Sequence, residues 1–493
     1  MNYTIKDIIS IFVGVMLSFF LTKYYFVIDS DTLNSAIVWH EIELHGWNVM
    51  KNWIPTPDNW YFSSYPIHFL FFSIFGASTN ILLILAFAQV FFCAWLAALI
   101  AKNISGDDKC IFLLPVFCCM SSFAYETGYV YHSFSHNITN LYGLFCVYLL
   151  TTKNSWFNFK CVLISLLSLA ASVSDPWYVV SYGLPIFIGG IYLAFRKDKR
   201  STALVSSQLI YLFVFFSHII QNYLGLSVAQ FQLVSMDDFW NNLKWYSYGT
   251  GRLMNLLVLD NRFSQLISCV LLLSVTIYGL FKFWKNDFLT LIVAMSVAGV
   301  SSSYIIGYPI KAEYAARFLI NLCYFFPIVL LITWGTRWKV VFFLVPFLFV
   351  VTSLPTHFST AKDGQYEYNK NLVKFMEDNN LKFGYGAYWS SKPAAVSWLS
   401  NWSVVIRPMI INGSDGRLMF DHYHAQVFTH WYSKNDEYAK RTPQFIAITA
   451  DPEACLTRAL CEDGLRKQFG TPDNILHFQD IEFYVYDRVL NNN

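Results

Sequence analysis

Residues 8–47, IISIFVGVMLSFFLTKYYFVIDSDTLNSAIVWHEIELHGW, set the terms for the whole chain. From Ile8 to Ile28 the run carries a single charge, Lys23, and is long enough to cross a hydrocarbon core of about 30 Å. It lacks a small-residue cleavage site, so it reads as an anchor and not as a signal peptide. Asp29 and Asp31 follow at once. Residues 33–50 then space Leu33, Ile37, Trp39, Ile42 and Leu44 as the apolar anchors of a helix lying along a membrane surface. An anchor, two carboxylates and a surface helix in succession suit chemistry at the boundary between lipid and water.

Composition carries the first reading through the chain. Of 493 residues, 55% are apolar, 19% aromatic and 13% charged, with a mean hydropathy of +0.41. A soluble chain carries about 25% charged residues, which excludes a soluble multi-domain enzyme, a disordered chain and a disulfide scaffold. The formal charge of +2 excludes a strongly basic nucleic-acid binder. After a short interfacial helix ending near Gly76, apolar runs cover roughly 80–101, 111–125, 138–152, 161–174, 179–195, 202–220, 264–281, 289–308, 318–334 and 339–354. Together with the first run they predict about eleven transmembrane helices. Basic residues mark cytoplasmic turns. Lys6, then Lys102 with Lys109, Lys153 with Lys160, Arg196 to Arg200, Lys282 with Lys285, and Arg337 with Lys339 fall on alternate turns.

The expected architecture is therefore a polytopic α-helical membrane module over residues 1–355, with its N-terminus cytoplasmic and outer loops at 29–65, 126–137, 221–263 and 309–317. A mixed α/β extracytoplasmic domain over 356–493 follows, in which FIAITA and IEFYVYD read as strands. Cys455 and Cys461 in this tail would face an oxidising compartment, and both a bridge and a pair of buried thiols stay open.

Polar residues gather at the outward ends of the runs. Asp29 and Asp31 either solvate a helix exit or, held down by the surface helix, are partly desolvated carboxylates fit to act as a general base. Glu126 lies in YETGYVYHSFSH (125–136), where His132 and His136 stand four residues apart and can share a helix face. As a metal pair they lack a third ligand nearby in sequence. Asp175, before Pro176, is either a cap or a further acid. Lys311 and Arg317 are the positive counterpart. Glu313 either pairs with one of them or leaves it for a phosphate, which Arg grips with a two-pronged fork. Trp39, His40 and Glu41, with His132 and His136, are further candidate contact residues at these outward ends.

With these features the chain resembles the GT-C class of integral-membrane glycosyltransferases, which use polyprenyl-phosphate sugars as donors. Among bacterial members it is most similar to the phage-encoded, serotype-converting O-antigen glucosyltransferases. The resemblance rests on the DSD of residues 29–31, the helix after it, the many spans and the C-terminal domain. The separated acids depart from the adjacent pair common in the class. The resemblance implies inverting transfer of one sugar, glucose, from undecaprenyl phosphate to a hydroxyl of lipopolysaccharide O-antigen or another lipid-linked glycan. The setting is the periplasmic face of the bacterial inner membrane, among membrane lipids and without nucleic acid. Asp29 or Asp31 would be the base, with Glu126 and Asp175 next in line, and Lys311 and Arg317 would hold the donor phosphate. A divalent cation, Mg2+ or Mn2+, is the other route to that phosphate. A cognate polyprenyl-phosphate glycosyltransferase and a flippase would act upstream. The rivals are an O-antigen polymerase or ligase and a membrane transporter.

Overall fold

Thr4 and Asp7 start the first helix, α1 (Ile5–Tyr25), by reciprocal capping. The Thr4 hydroxyl accepts the Asp7 N–H, and the Asp7 carboxylate accepts the Thr4 N–H at 2.7 Å. The computed structural model describes residues 4–106, 111, 113–131, 133–152, 156–228, 233–257, 259, 261–283, 288–307, 310, 312–334, 353–354, 357, 365–433, 436–449 and 456–490. The chain forms two units. One comprises Met1–Phe26, Pro57–His68 and Leu83–Lys362, the other Val27–Thr56, Phe69–Leu82 and Asp363–Asn493. The predicted first loop, 29–65, is thus divided, and most of it joins the unit that contains the tail.

The first unit is helical. Among the described residues, five helices are long and apolar enough to cross a membrane: α1, Thr79–Ser105, Phe157–Ser174, Arg262–Phe281 and Phe288–Ile306. At 1.5 Å per residue, 18 residues cover about 27 Å, close to the hydrocarbon thickness. Shorter apolar helices at Ile138–Thr151, Val179–Phe195, Arg200–Phe216 and Ala315–Val329 fall on other predicted runs. The run 111–125 does not form one helix. Pro115 sits in the first turn of a short helix, Leu114–Cys118, Cys119 leaves helical geometry, and the Ser121 hydroxyl caps a separate turn, Ser122–Ala124. The run 202–220 breaks at His218, whose φ of 53° is left-handed. The predicted span 339–354 lies almost wholly outside the described residues.

The high aromatic content has a structural use here. Tyr125, Tyr129, Tyr178, Tyr182 and Tyr324 are fully buried, and such hydroxyls need partners. Tyr178 exchanges a hydrogen bond with Ser168 at 2.9 Å, and Tyr182 donates to Asn140 at 2.8 Å. Glycines admit this bulk. A Cβ on Gly143 would stand 2.3 Å from the Tyr182 ring, and one on Gly299 would stand 2.3 Å from the Val180 carbonyl oxygen.

The second unit contains a five-stranded sheet. Its strands are β1 (Phe383–Gly386), β2 (Val405–Pro408), β3 (Gln444–Thr449), β4 (Asn474–Phe478) and β5 (Ile481–Tyr486), in the order β2-β1-β3-β5-β4. β1 runs parallel to β2 and β3, and β5 runs antiparallel to β3 and β4. Alternate residues feed two cores, as the period of a strand requires. Ile446 and Tyr484 pack with Cys461 and Leu465 of helix Arg458–Phe469. Phe445 and Phe483 pack with Leu372 and Met376 of helix Gln365–Asp378. Cys461 is held in a disulfide, whereas the described cysteines of the helical unit are free. Cys455 lies outside the described residues.

Helix α2 (Ser30–His45) belongs to this second unit and departs from the surface helix expected of residues 33–50. Leu33, Ser35, Ala36 and Val38, on successive sides of the helix, are all fully buried. It packs against helix Pro393–Leu399, and Trp39 closes on Phe69 and Phe72. Only its end, from Glu43 to His45, is exposed. The apolar spacing marked a helix correctly but could not distinguish a lipid surface from a protein interior.

Candidate functional site

Within the helical unit, three single-turn π-helical segments, Tyr125–Tyr129, Ser133–Asn137 and Val179–Gly183, interrupt the α-helical pattern. Such turns often mark functional positions, and here they carry or follow Glu126, His136 and Asp175. His136 and Asp175 meet: Nδ1 lies 3.0 Å from Asp175 Oδ2, and both side chains are buried. The same carboxylate accepts the Thr139 hydroxyl at 2.7 Å and the Trp177 N–H at 3.0 Å. Asp175 therefore caps the chain, as one reading held, and also fixes an imidazole. On the ring's other side, Nε2 faces Asp58 Oδ2 at 3.7 Å. Asp58 is 31% exposed, against 7% for His136, so the row Asp58–His136–Asp175 runs from an accessible carboxylate to a buried one.

Arg317 adjoins this row. Its guanidinium lies over Phe318, and the Phe318 ring touches both His136, at 4.5 Å between centroids, and Trp177, at 5.1 Å. The turn bearing Glu126 packs on the 3-10 helix Glu313–Leu319, so closely that a Cβ on Gly128 would stand 3.3 Å from the Arg317 Cα. Four of the predicted positions thus come from segments that meet in one unit. Glu313 pairs with Arg252 and accepts the Tyr248 hydroxyl. His132 and Lys311 lie outside the described residues.

A cavity of about 500 Å³ opens in the same unit, bordered by Lys244, Trp245, Tyr248, Arg262, Gln265 and Glu313. Its volume is within the range of small-molecule sites, about 300–1,000 Å³. Two cations and two aromatic rings face one space there.

The other predicted acids lie in the second unit. Asp29 is the N-cap of α2 and accepts the Thr32 N–H at 2.8 Å. Asp31, in the first turn, accepts the Gln426 amide at 3.2 Å, and Gln426 is held in turn by Asn34 at 2.9 Å and Tyr388 at 2.6 Å. Each is only 7% exposed, so neither merely solvates a helix exit. A small cavity of about 20 Å³ beside them, bordered by Asn34, Tyr388, Gln426 and Arg407, has room for about one water.

Farther along α2, His40 stacks on Trp402 at 3.9 Å and meets the Tyr438 hydroxyl at 3.4 Å. Glu41 is buried to 1% exposure. Its Oε1 accepts Trp431 Nε1 at 2.7 Å, with Arg407 at 3.6 Å, and its Oε2 faces His430 at 3.0 Å and His45 at 3.6 Å. Burial pushes the Glu41 carboxyl up, but the His430 hydrogen bond, the Arg407 charge and the Trp431 hydrogen bond together hold it below the ordinary value of 4.5. Burial holds the His40 imidazole below 6.5 despite the pull of Glu41 and Glu437. Arg407 forks onto Asp436 with two bonds of 3.0 Å and lies over Trp431 at 4.2 Å.

Asp58, Lys244, Arg262 and the partners of Glu41 escaped the reading of the sequence. Asp58 sits in a loop rich in acids with nothing local to mark it. Glu41 and His430 are 389 positions apart. No protein-family model matches this chain, and none of the curated proteins matches it.

Proposed function

We propose that this chain is an inverting, integral-membrane glycosyltransferase. It moves a single sugar, glucose by the resemblance to the GT-C class, from a polyprenyl-phosphate donor to a hydroxyl of O-antigen. The observation that carries the reading is the row Asp58–His136–Asp175 beside the Arg317 turn, in a unit of long apolar helices. The acceptor oxygen bonds to the anomeric carbon as the bond from that carbon to the phosphate oxygen breaks, and the electron pair leaves with the phosphate. Asp58 takes the hydroxyl proton, and a small side-chain rotation lets it pass to His136 Nε2. Asp175 and Thr139 hold the ring in place. Arg317 offsets the charge of the departing phosphate. Lys244 and Arg262 in the larger cavity suit the donor's phosphate, and Trp245 and Tyr248 suit a sugar ring. The eleven-span topology, the inner membrane, a periplasmic tail, and the upstream donor-making glycosyltransferase and flippase belong to the same proposal. The disulfide at Cys461 supports an oxidising compartment for the tail.

The test is sugar transfer from a polyprenyl-phosphate donor, normalised to folded protein. Asp58→Asn and His136→Ala should each lower turnover by about 100-fold or more, while Arg317→Ala should raise the donor KM and slow the reaction. Loss in Asp31→Asn or Asp29→Asn, with Asp58→Asn near normal, moves the base to the start of α2, where the class resemblance puts it. Normal turnover in all five variants contradicts the assignment of either site. A gain in polymer length without added sugar favours a polymerase.

A further inference from the structure

Glu41, His45 and His430 each present one ligand atom, and these atoms all lie within 4.8 Å of one another. Among the described residues no other three acids, histidines or cysteines come together this way. Glu41 Oε2 stands 3.6 Å from His45 Nε2 and 3.0 Å from His430 Nε2. Ligands at about 2.0–2.1 Å from a tetrahedral ion lie about 3.4 Å apart, so two of the three separations already match. We propose that these three residues bind a transition-metal ion, Zn2+ foremost, which clasps the end of α2 to the segment Thr429–Tyr432.

Three further observations support this. Trp431 and Arg407 occupy Glu41 Oε1, which orients the carboxylate and leaves Oε2 for the ion, as outer partners of metal ligands do. In the buried group of Glu41, Asp436 and Arg407 two carboxylates share one guanidinium, so a cation beside Glu41 adds a second positive partner. His45 is 41% exposed, so an ion can enter from solvent and a fourth position stays open to water or a further ligand. Two imidazoles with one carboxylate select zinc and its neighbours over magnesium, which prefers oxygen ligands. The arrangement pairs His45 with Glu41 at a spacing of four on one helix face. The proposal is independent of sugar transfer, because it is read from metal affinity alone.

The full-length chain, purified in detergent and stripped with a chelator, is titrated with Zn2+ by calorimetry and with Co2+ by visible absorption. One equivalent of Zn2+ should bind at micromolar concentration or tighter and raise the unfolding temperature, Co2+ should give ligand-field bands of a four- or five-coordinate site, and Mg2+ should give neither effect. His45→Ala, at an exposed helix end, should keep the metal-free unfolding temperature close to that of the native chain and weaken Zn2+ binding at least tenfold. His430→Ala should weaken it equally. Absence of saturable Zn2+ binding, or unchanged affinity in either variant, overturns the site; the second outcome assigns the ion to other ligands.

Discussion

At the scale of single residues, burial and partners decide what each charge does. The first apolar helix and the acids after it were legible because charge at an apolar boundary is a local signal. The surroundings of Glu41 were not, since Arg407, His430 and Asp436 reach it only through the fold. Removing Arg407 leaves two buried carboxylates uncompensated. Arg407→Met should cost about 3–5 kcal/mol in chemical unfolding of the tail-containing unit, and a loss below about 1 kcal/mol would contradict the buried cluster. The same neighbourhood gives a pH dependence with a fixed sign. His40 and Glu41 both have folded values held below their ordinary 6.5 and 4.5, so the unfolded chain binds protons more readily. Their contributions to stability are present at neutral pH and are lost as the pH falls, His40 below about 6.5 and Glu41 below about 4.5. Unfolding midpoints measured from pH 7.5 down to 4 should fall throughout, and His40→Asn should flatten the upper part of the curve. A rise in stability between pH 6.5 and 5 would contradict this.

At the scale of elements, periodicity and length located most helices, because an apolar run of some 18 residues has few other solutions in lipid. It failed where local chemistry intervened, at Pro115, Ser121 and His218, and where apolar spacing described a buried helix as well as a surface one. The π-helical turns bearing Glu126 and His136 have no marker in composition. Close approach of helices depends on glycine, as at Gly143 and Gly299. Gly143→Ala would press a methyl group into the Tyr182 ring, and Gly299→Ala into the Val180 carbonyl. Each should cost about 1–3 kcal/mol by overpacking, seen as a lower thermal midpoint in detergent. Ser302→Ala, on an exposed stretch of the same helix as Gly299, should leave the midpoint nearly unchanged. Equal midpoints for both glycine variants and Ser302→Ala would mean that these contacts are looser than the distances indicate.

At the scale of the molecule, a helical unit with apolar helices long enough to cross a membrane is joined in one chain to a unit built on a mixed sheet, which also takes in α2. The tail's strands were legible from short alternating segments, and the sheet order was not, because β1 pairs in parallel with both β2 and β3, which follow it in the chain and return to its two edges through crossovers. The row Asp58–His136–Asp175 was not legible, because it appears only once the fold brings three distant segments together. The central claim is that the chain adds one sugar to an existing glycan. Mass analysis of the O-antigen repeat from cells that express the chain, set against cells that express Asp58→Asn at equal folded level, tests it most directly. One additional hexose per repeat with the native chain, absent with the variant, is the predicted result; an unchanged repeat mass with the native chain in a strain that makes both donor and acceptor would contradict it.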